Sequence, residues 1–111
     1  MQSLSSRFLS IAEIPGVIGW VHCSAEGEIL GHSGDESLPF GAVLPYFQQV
    51  SSQIGESLGL DGLYEAQIVG RSVTSLYFPV HDGALGVLVQ SKARLNEVLA
   101  HLEQKLGGYL R

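Results

Sequence analysis

The stretch SVTSLYFPVHDGALGVLVQ, residues 72–90 of this 111-residue chain, is the strongest indication of its fold. Apolar Leu76, Phe78 and Val80 occupy every second position, which is typical of a strand with two unlike faces. Residues 81–83, His-Asp-Gly, predict a tight turn, and the apolar run that follows predicts a central strand that is buried on both faces. Because the connection between the two strands is short, we expect them to be antiparallel.

The segments on either side of this stretch predict a mixed fold of helices and strands. Hydrophobic periodicity and turn residues divide them into six further elements. In chain order these are a helix over 2–13, strands over 17–23 and 28–32, a helix over 37–59, a strand over 63–69, and a helix for which Ser91 is the expected N-cap. The order α-β-β-α-β-β-β-α predicts one domain over residues 1–111, of the α/β class in the form of an α+β sandwich. We expect a five-stranded antiparallel sheet, with the middle helix on one face and the terminal helices on the other.

The middle helix is predicted to have two different sides. The side expected to pack on the sheet is an apolar stripe at helical spacing, formed by Val43, Phe47, Val50, Ile54 and Leu58. Pro45 lies within this segment, so the regular helix either begins near Leu44 or is kinked at Pro45. The opposite side is aromatic and rich in amides, and its candidate contact residues are Tyr46, Gln49, Gln53 and Glu56. This composition favours contact with another protein, and a solvated polar face is the alternative.

The strand over 63–69 is predicted to end the sheet. It contains no proline and no lysine, two of the residues that usually protect an edge strand from pairing with another chain. An edge of this kind indicates pairing with a second copy, and cover by the chain's own loops is the alternative. The candidate residues of this dimer edge are Leu63, Tyr64, Glu65, Ala66, Gln67 and Ile68.

Composition and charge exclude several classes of protein. Hydrophobic residues make up 45% of the chain, whereas charged residues make up 15%, well below the ~25% that is common in soluble domains. A surface with so few charges is typical of one that another chain partly covers. The net charge of −5 argues against nucleic acid and anionic membranes as partners. One cysteine and no long apolar run predict a cytoplasmic protein without a membrane helix.

The acidic residues are concentrated in the first part of the chain. Residues 1–65 carry one basic and eight acidic residues, whereas residues 66–111 carry five basic and three acidic ones. No lysine or arginine occurs between Arg7 and Arg71. This asymmetry is compatible with attraction of a partner that has a basic patch.

The sequence contains no residue set that is typical of catalysis or metal binding. No two of its histidines, His22, His32, His81 and His101, are three or four residues apart. His22 and His32 lie on the two hairpin strands, where a facing pair is the alternative to separate structural imidazoles. Cys23 has no nearby basic residue and is expected to be a small buried side chain. Because the Gly-x-Ser-x-Gly and Gly-x-x-x-x-Gly-Lys motifs are also missing, we expect no catalytic residue, metal or cofactor.

Several turn and packing motifs together resemble one family. They are Ile14-Pro15-Gly16-Val17 before the first strand, Glu26-Gly27 in the hairpin, and the run from Pro79 to Leu85 before the central strand. With the long middle helix and the three-strand meander, the whole chain resembles the roadblock family, which includes dynein light chains and prokaryotic regulators of Ras-like GTPases. Pro45 departs from the pattern of that family.

The resemblance implies a homodimer or heterodimer in which the middle strands of two subunits pair into one continuous sheet. It also implies a partner surface built partly from the middle helices, and no catalytic residues. The expected function is therefore a non-enzymatic, dimeric regulator or adaptor of a small Ras-like GTPase. Two alternatives stay open: a scaffold subunit of a cytoskeletal or signalling complex, and a small-ligand sensor of the PAS or profilin-like kind.

Overall fold

A computed structural model describes residues 8–34, 39–42, 44, 46, 49, 50, 53, 57, 66–69, 71–80 and 83–106. Its elements, in chain order, are a 3₁₀ helix η1 (Leu9–Glu13), strands β1 (Val17–Ser24) and β2 (Ile29–Ser33), helix α1, strands β3 (Ala66–Val69), β4 (Val73–Val80) and β5 (Gly83–Gln90), and helix α2 (Leu95–Leu106). The name α1 refers to the described helical residues between 39 and 57.

The strands form one sheet in the order β2-β1-β5-β4-β3, and every neighbouring pair is antiparallel. Val80 and Gly83 are opposite each other in the β4–β5 register, as expected for a tight connection, while residues 81 and 82 of the predicted turn lie outside the described residues. A Cβ on Gly83 would collide with the carbonyl oxygen of Cys23, so glycine at this position lets β5 approach β1 closely. Strand β5 is buried at every position but the last, in agreement with its predicted central position, and the alternating Leu76, Phe78 and Val80 of β4 are buried as well.

The two faces of the sheet have separate apolar cores. On one face, residues from η1 and α2, including Ile11, Val98 and Leu102, pack against alternate residues of β1, β4 and β5. On the other face, Phe40 and Leu44 of α1 pack against the intervening residues of the same three strands. The division of the helices between the two faces is therefore as predicted.

The last turn of the first predicted helix is a 3₁₀ helix. Residues 1–7 of the predicted span 2–13 lie outside the described part of the chain, Phe8 is α-helical, and Leu9–Glu13 is a 3₁₀ helix. It ends at Ile14, which has extended backbone angles and donates its N–H to the Ile11 carbonyl at 3.0 Å. Pro15 explains this end, because a residue before proline is pushed out of the helical region.

Helix α2 begins later than the N-cap prediction placed it. Ser91 is part of a turn, in which the Ala93 N–H donates to the Gln90 carbonyl at 2.9 Å. The first bond of the α-helical type runs from the Val98 N–H to the Arg94 carbonyl at 3.1 Å. Instead, the Ser91 N–H donates to the Ser72 carbonyl at 3.0 Å and so extends the contact between β5 and β4. The prediction of Ser91 as the N-cap was therefore wrong.

One residue of the predicted apolar stripe of α1 is on the exposed side. Phe40 and Leu44 are buried, but Val50 is 50% exposed. Leu44 and Val50 are six positions apart, which in a regular helix corresponds to about 240° around the axis. Val50 was therefore wrongly assigned to the packed side. The other predicted stripe residues, and the choice between a start near Leu44 and a kink at Pro45, lie outside the described residues.

Candidate interaction surface

Strand β3 is at one end of the sheet, as the sequence predicted. It pairs with β4 in a regular register from Ala66 opposite Tyr77 to Val69 opposite Thr74, and it has no neighbour on its other side among the described strands. Gln67 is exposed, while Leu63, Tyr64 and Glu65 lie outside the described residues, as do the side chains of Ala66 and Ile68. The four residues of β3 contain no proline or charged side chain, so nothing in this segment opposes pairing with another strand.

The side of α1 that faces away from the sheet carries no charge among its described residues. We name it the outer face of α1, and its seven exposed residues are Pro39, Ala42, Tyr46, Gln49, Val50, Gln53 and Ser57. They follow one another mainly in steps of three and four, which places them on one side of a helix. Tyr46 is 66% exposed and Val50 is 50% exposed. The predicted contact residues Tyr46, Gln49 and Gln53 are therefore together on this face, and Glu56 lies outside the described residues.

The core beneath α1 extends from this helix toward the edge of the sheet. Phe40 and Leu44 belong to the same apolar cluster as Tyr77 of β4, and Tyr77 is opposite Ala66 of β3 in the register. Gly86 of β5 provides the space for Phe40, because a Cβ there would be 2.5 Å from the ring atom Cε2. Phe40 and Leu44 of α1 thus share one packed layer with Tyr77 of β4, the strand next to β3.

Cys23 is a structural residue in this layer. It is buried, and its Sγ donates to the carbonyl oxygen of Gly41 at 3.6 Å. Burial raises the pKa of the Cys23 thiol, because the thiolate would lose its solvation. A thiol that stays protonated is a poor nucleophile, in agreement with the small buried side chain that the sequence predicted.

The histidines do not form a shared site among the described residues. His22 is buried edge-on against the ring of Phe8, with a centroid distance of 4.7 Å, whereas His32 is exposed. His22 is opposite Gly31, and His32 is opposite Val21, so the two imidazoles are on different faces of the sheet. His81 lies outside the described part, and no group of three or more possible metal ligands occurs within the described part.

A cleft that the sequence did not reveal lies beside the first turn of α2. It has a volume of about 280 Å³ and is lined by residues of the 15–16 turn and of the segment from Gln90 to His101. One basic residue of its lining, Arg94, is exposed, and its guanidinium nitrogen Nη1 lies 3.4 Å from Oε1 of Glu97. The cleft lies between the end of the sheet, at Gly16 and Gln90, and helix α2, at Glu97 and His101. A sensor of the PAS or profilin-like kind was expected to use a pocket between the sheet and a terminal helix, and that alternative stays a prediction.

The helices were also compared with the length and hydropathy that a membrane span needs. Within the described residues, no helix is both long and apolar enough to span a bilayer.

Comparison with solved structures identifies the fold. A Roadblock/LC7 domain from Streptomyces avermitilis superposes with a TM-score of 0.81 at 13% identity, over 96% of this chain and 94% of that one. The chain has the roadblock fold. MglB from Myxococcus xanthus also superposes with a TM-score of 0.81, at 8% identity over 94% of this chain and 91% of that one. An MglB with a tetrameric arrangement gives a TM-score of 0.77 at 11% identity, over 95% of this chain and 87% of that one.

These similarities concern the roadblock fold and not the sequence. No protein-family model and no curated protein matches the chain. At identities this low, two chains share a backbone and its packing pattern, while their surface residues differ at most positions. The partner of this roadblock fold must therefore be inferred from the chain's own surface.

Proposed function

We propose that the chain is a non-enzymatic, dimeric regulator or adaptor of a small Ras-like GTPase. Two copies join through β3, so that their sheets become continuous, and the outer faces of their α1 helices form a surface for the GTPase. The observation that carries this proposal is the outer face of α1, whose described residues carry no charge and include the exposed Tyr46 and Val50. Contact between these residues and a partner removes water from them without desolvating a charge.

The sheet edge supports the dimeric part of the proposal. An unprotected edge strand offers backbone N–H and C=O groups to another strand, and identical edges pair symmetrically about a two-fold axis. The low share of charged residues, 15% of the chain, favours the same arrangement. One of the similar structures is described as tetrameric, which shows that this fold is compatible with self-association in that protein.

The GTPase part of the proposal comes from the family resemblance and from the surface chemistry. Prokaryotic members of the resembled family regulate Ras-like GTPases without a catalytic residue of their own. In this chain the outer face of α1 offers an aromatic side chain, amides and apolar contacts, and its described residues include no histidine, cysteine or carboxylate. Such a surface can position the GTPase's own residues, and the hydrolysis chemistry stays with the GTPase.

Binding of the host's small GTPases, loaded with GDP or with a non-hydrolysable GTP analogue, tests the proposal. We expect one nucleotide state to bind more tightly. Truncation of a central interface aromatic typically costs about 2 kcal/mol or more, so Tyr46→Ala should weaken binding about thirtyfold. Leu9→Ala is the matched control, because Leu9 is similarly exposed at 63% but belongs to η1 on the opposite side of the sheet.

The outcomes separate the proposal from its alternatives. Equal binding by the wild type and Tyr46→Ala would remove α1 from the GTPase site. If no GTPase binds in either nucleotide state while the dimer persists, the scaffold alternative replaces the regulator. A loss of GTPase binding in Leu9→Ala but not in Tyr46→Ala would move the partner surface to the η1 side.

A further inference from the structure

The second edge of the sheet, strand β2, has the properties of a separate binding site. We propose that it binds an extended segment of another protein, in which apolar residues alternate and at least one end carries lysine or arginine. The segment would add to the sheet as a further strand beside β2. This inference does not rest on the proposed function, because β2 and β3 are at opposite ends of the sheet and can be occupied independently.

The direction of the backbone groups shows which part of β2 is available. The Ser24 N–H donates to the Glu28 carbonyl at 2.8 Å, so the backbone groups of Ser24 point toward β2. Since N–H and C=O directions alternate along a strand, those of His22 and Trp20 also point toward β2, and those of Val21 point away from it. His32, opposite Val21, is therefore in a non-hydrogen-bonded pair, and its own N–H and C=O point away from β1.

The exposed side chains of β2 are suited to an apolar partner. Ile29 is 39% exposed and Leu30 is 43% exposed, and the strand contains no proline or charged residue. A register shift opposite Cys23 disturbs the start of the strand, but the register is regular from Gly31 to Ser33. Alternate apolar residues of an added strand would cover this surface while its backbone pairs with His32.

Charge determines which kind of segment fits. Glu26 and Glu28 are exposed immediately before β2, and every charged residue among the described positions 8–34 is acidic. A partner with lysine or arginine at its end would lie beside these carboxylates. A second copy that pairs through β2 does not meet this requirement, because β2 contains no basic residue. A copy that adds β3 would bring Arg71, two residues past that strand, but β3-to-β2 pairing joins unlike edges and would extend head to tail instead of closing as a dimer.

A synthetic peptide, acetyl-KVTVTVK-amide, is the probe, and EVTVTVE in the same format is its charge control. Amide chemical shifts of the ¹⁵N-labelled full chain would report the site. At about 1 mM peptide, a concentration suited to weak strand addition, we expect KVTVTVK to shift residues 29–33 and EVTVTVE to shift none. Glu26→Gln with Glu28→Gln should weaken the binding severalfold and reduce its dependence on salt.

Two substitutions at one position test the backbone pairing. His32→Pro removes an N–H that β1 does not use, and should weaken KVTVTVK binding at least about tenfold. His32→Thr keeps that N–H in a residue suited to strands, and should bind like the wild type. If His32→Pro does not fold, peptides N-methylated at alternate residues replace it, and only one of the two methylation patterns should abolish binding.

Three results would overturn the proposal. They are shifts confined to β3 or α1, equal binding of KVTVTVK by His32→Pro and the wild type, and no shift at about 1 mM peptide. Loss of self-association in His32→Pro, without an effect of the peptide, would assign this edge to a second copy instead. None of these results alters the GTPase test, because that test measures GTPase binding by the Tyr46→Ala variant of α1.

Discussion

Helices α1 and α2 are buried alike on their inner sides and differ on their outer sides. Each has seven exposed residues in the described part of the chain. On α2 these include Glu97, Glu103 and Lys105, whereas on α1 none is charged and two are Tyr46 and Val50. Because both helices cover the same sheet, stability of the fold does not explain the difference. The difference supports the proposal that the outer face of α1, rather than that of α2, contacts another protein.

The largest effects should occur on the inner sides, where the two helices are alike. Leu44 of α1 is 0% exposed and Leu102 of α2 is 1% exposed. Leu44→Ala and Leu102→Ala should each lower the free energy of unfolding by about 2–5 kcal/mol, measured by urea denaturation. A loss below about 1 kcal/mol for Leu44→Ala alone would mean that α1 is only loosely attached, and the comparison of outer faces would lose its basis.

A matched charge substitution sharpens the contrast between the outer faces. Gln49 and Gln104 are both exposed glutamines, on α1 and α2 respectively. Gln49→Lys should reduce partner affinity or self-association by about 1–3 kcal/mol, because a buried charge without a partner is costly. Gln104→Lys should change both by less than about 0.5 kcal/mol. Equal effects in calorimetry and sedimentation would show that the outer face of α1 is solvated.

A third substitution tests the packing that holds α1 in place. In Gly86→Ala the new methyl group would meet the ring of Phe40, which must then move away from β5. We expect a loss of about 1–3 kcal/mol in unfolding free energy, as for other overpacked cores. Amide shifts should change in α1 and stay constant in α2. Shifts that spread equally through both helices would contradict the separation of the two cores.

The smallest effect concerns Cys23 beneath α1. Because its thiol is buried and its pKa is raised, alkylation by iodoacetamide at pH 8 should be much slower in the folded protein than in urea. The test requires only mass spectrometry over time. Equal rates in the two states would mean that α1 opens readily and exposes the core below it.

The sequence was most informative where one physical pattern acted alone. The alternation of Leu76, Phe78 and Val80 predicted β4, and the uninterrupted apolar run placed β5 in the centre of the sheet. Both patterns depend only on which face of a strand is buried. The short connections then fixed the antiparallel order and left β3 at an edge.

Predictions were wrong where a distant contact or a small shift in register decides the outcome. Val50 fits a helical stripe, but the buried side of α1 is set by Phe40 and Leu44 packing on the sheet. Ser91 is a good N-cap residue, yet its backbone N–H donates to the Ser72 carbonyl, which keeps Ser91 beside β4. For the candidate site, Tyr46, Gln49 and Gln53 are exposed together as their helical spacing predicted, Glu56 lies outside the described residues, and their contact with a partner stays a prediction. The sequence did not single out β2, which is the other outer strand of the described sheet.

The oligomeric state tests the central claim most directly. Sedimentation velocity of the wild-type chain at tens of micromolar should show twice the 11.9 kDa mass of one copy. Ala66→Pro removes a backbone donor of β3 and should give monomer or aggregate, whereas Ala66→Ser should stay dimeric. A wild-type protein that sediments as a monomer at this concentration would contradict pairing through β3.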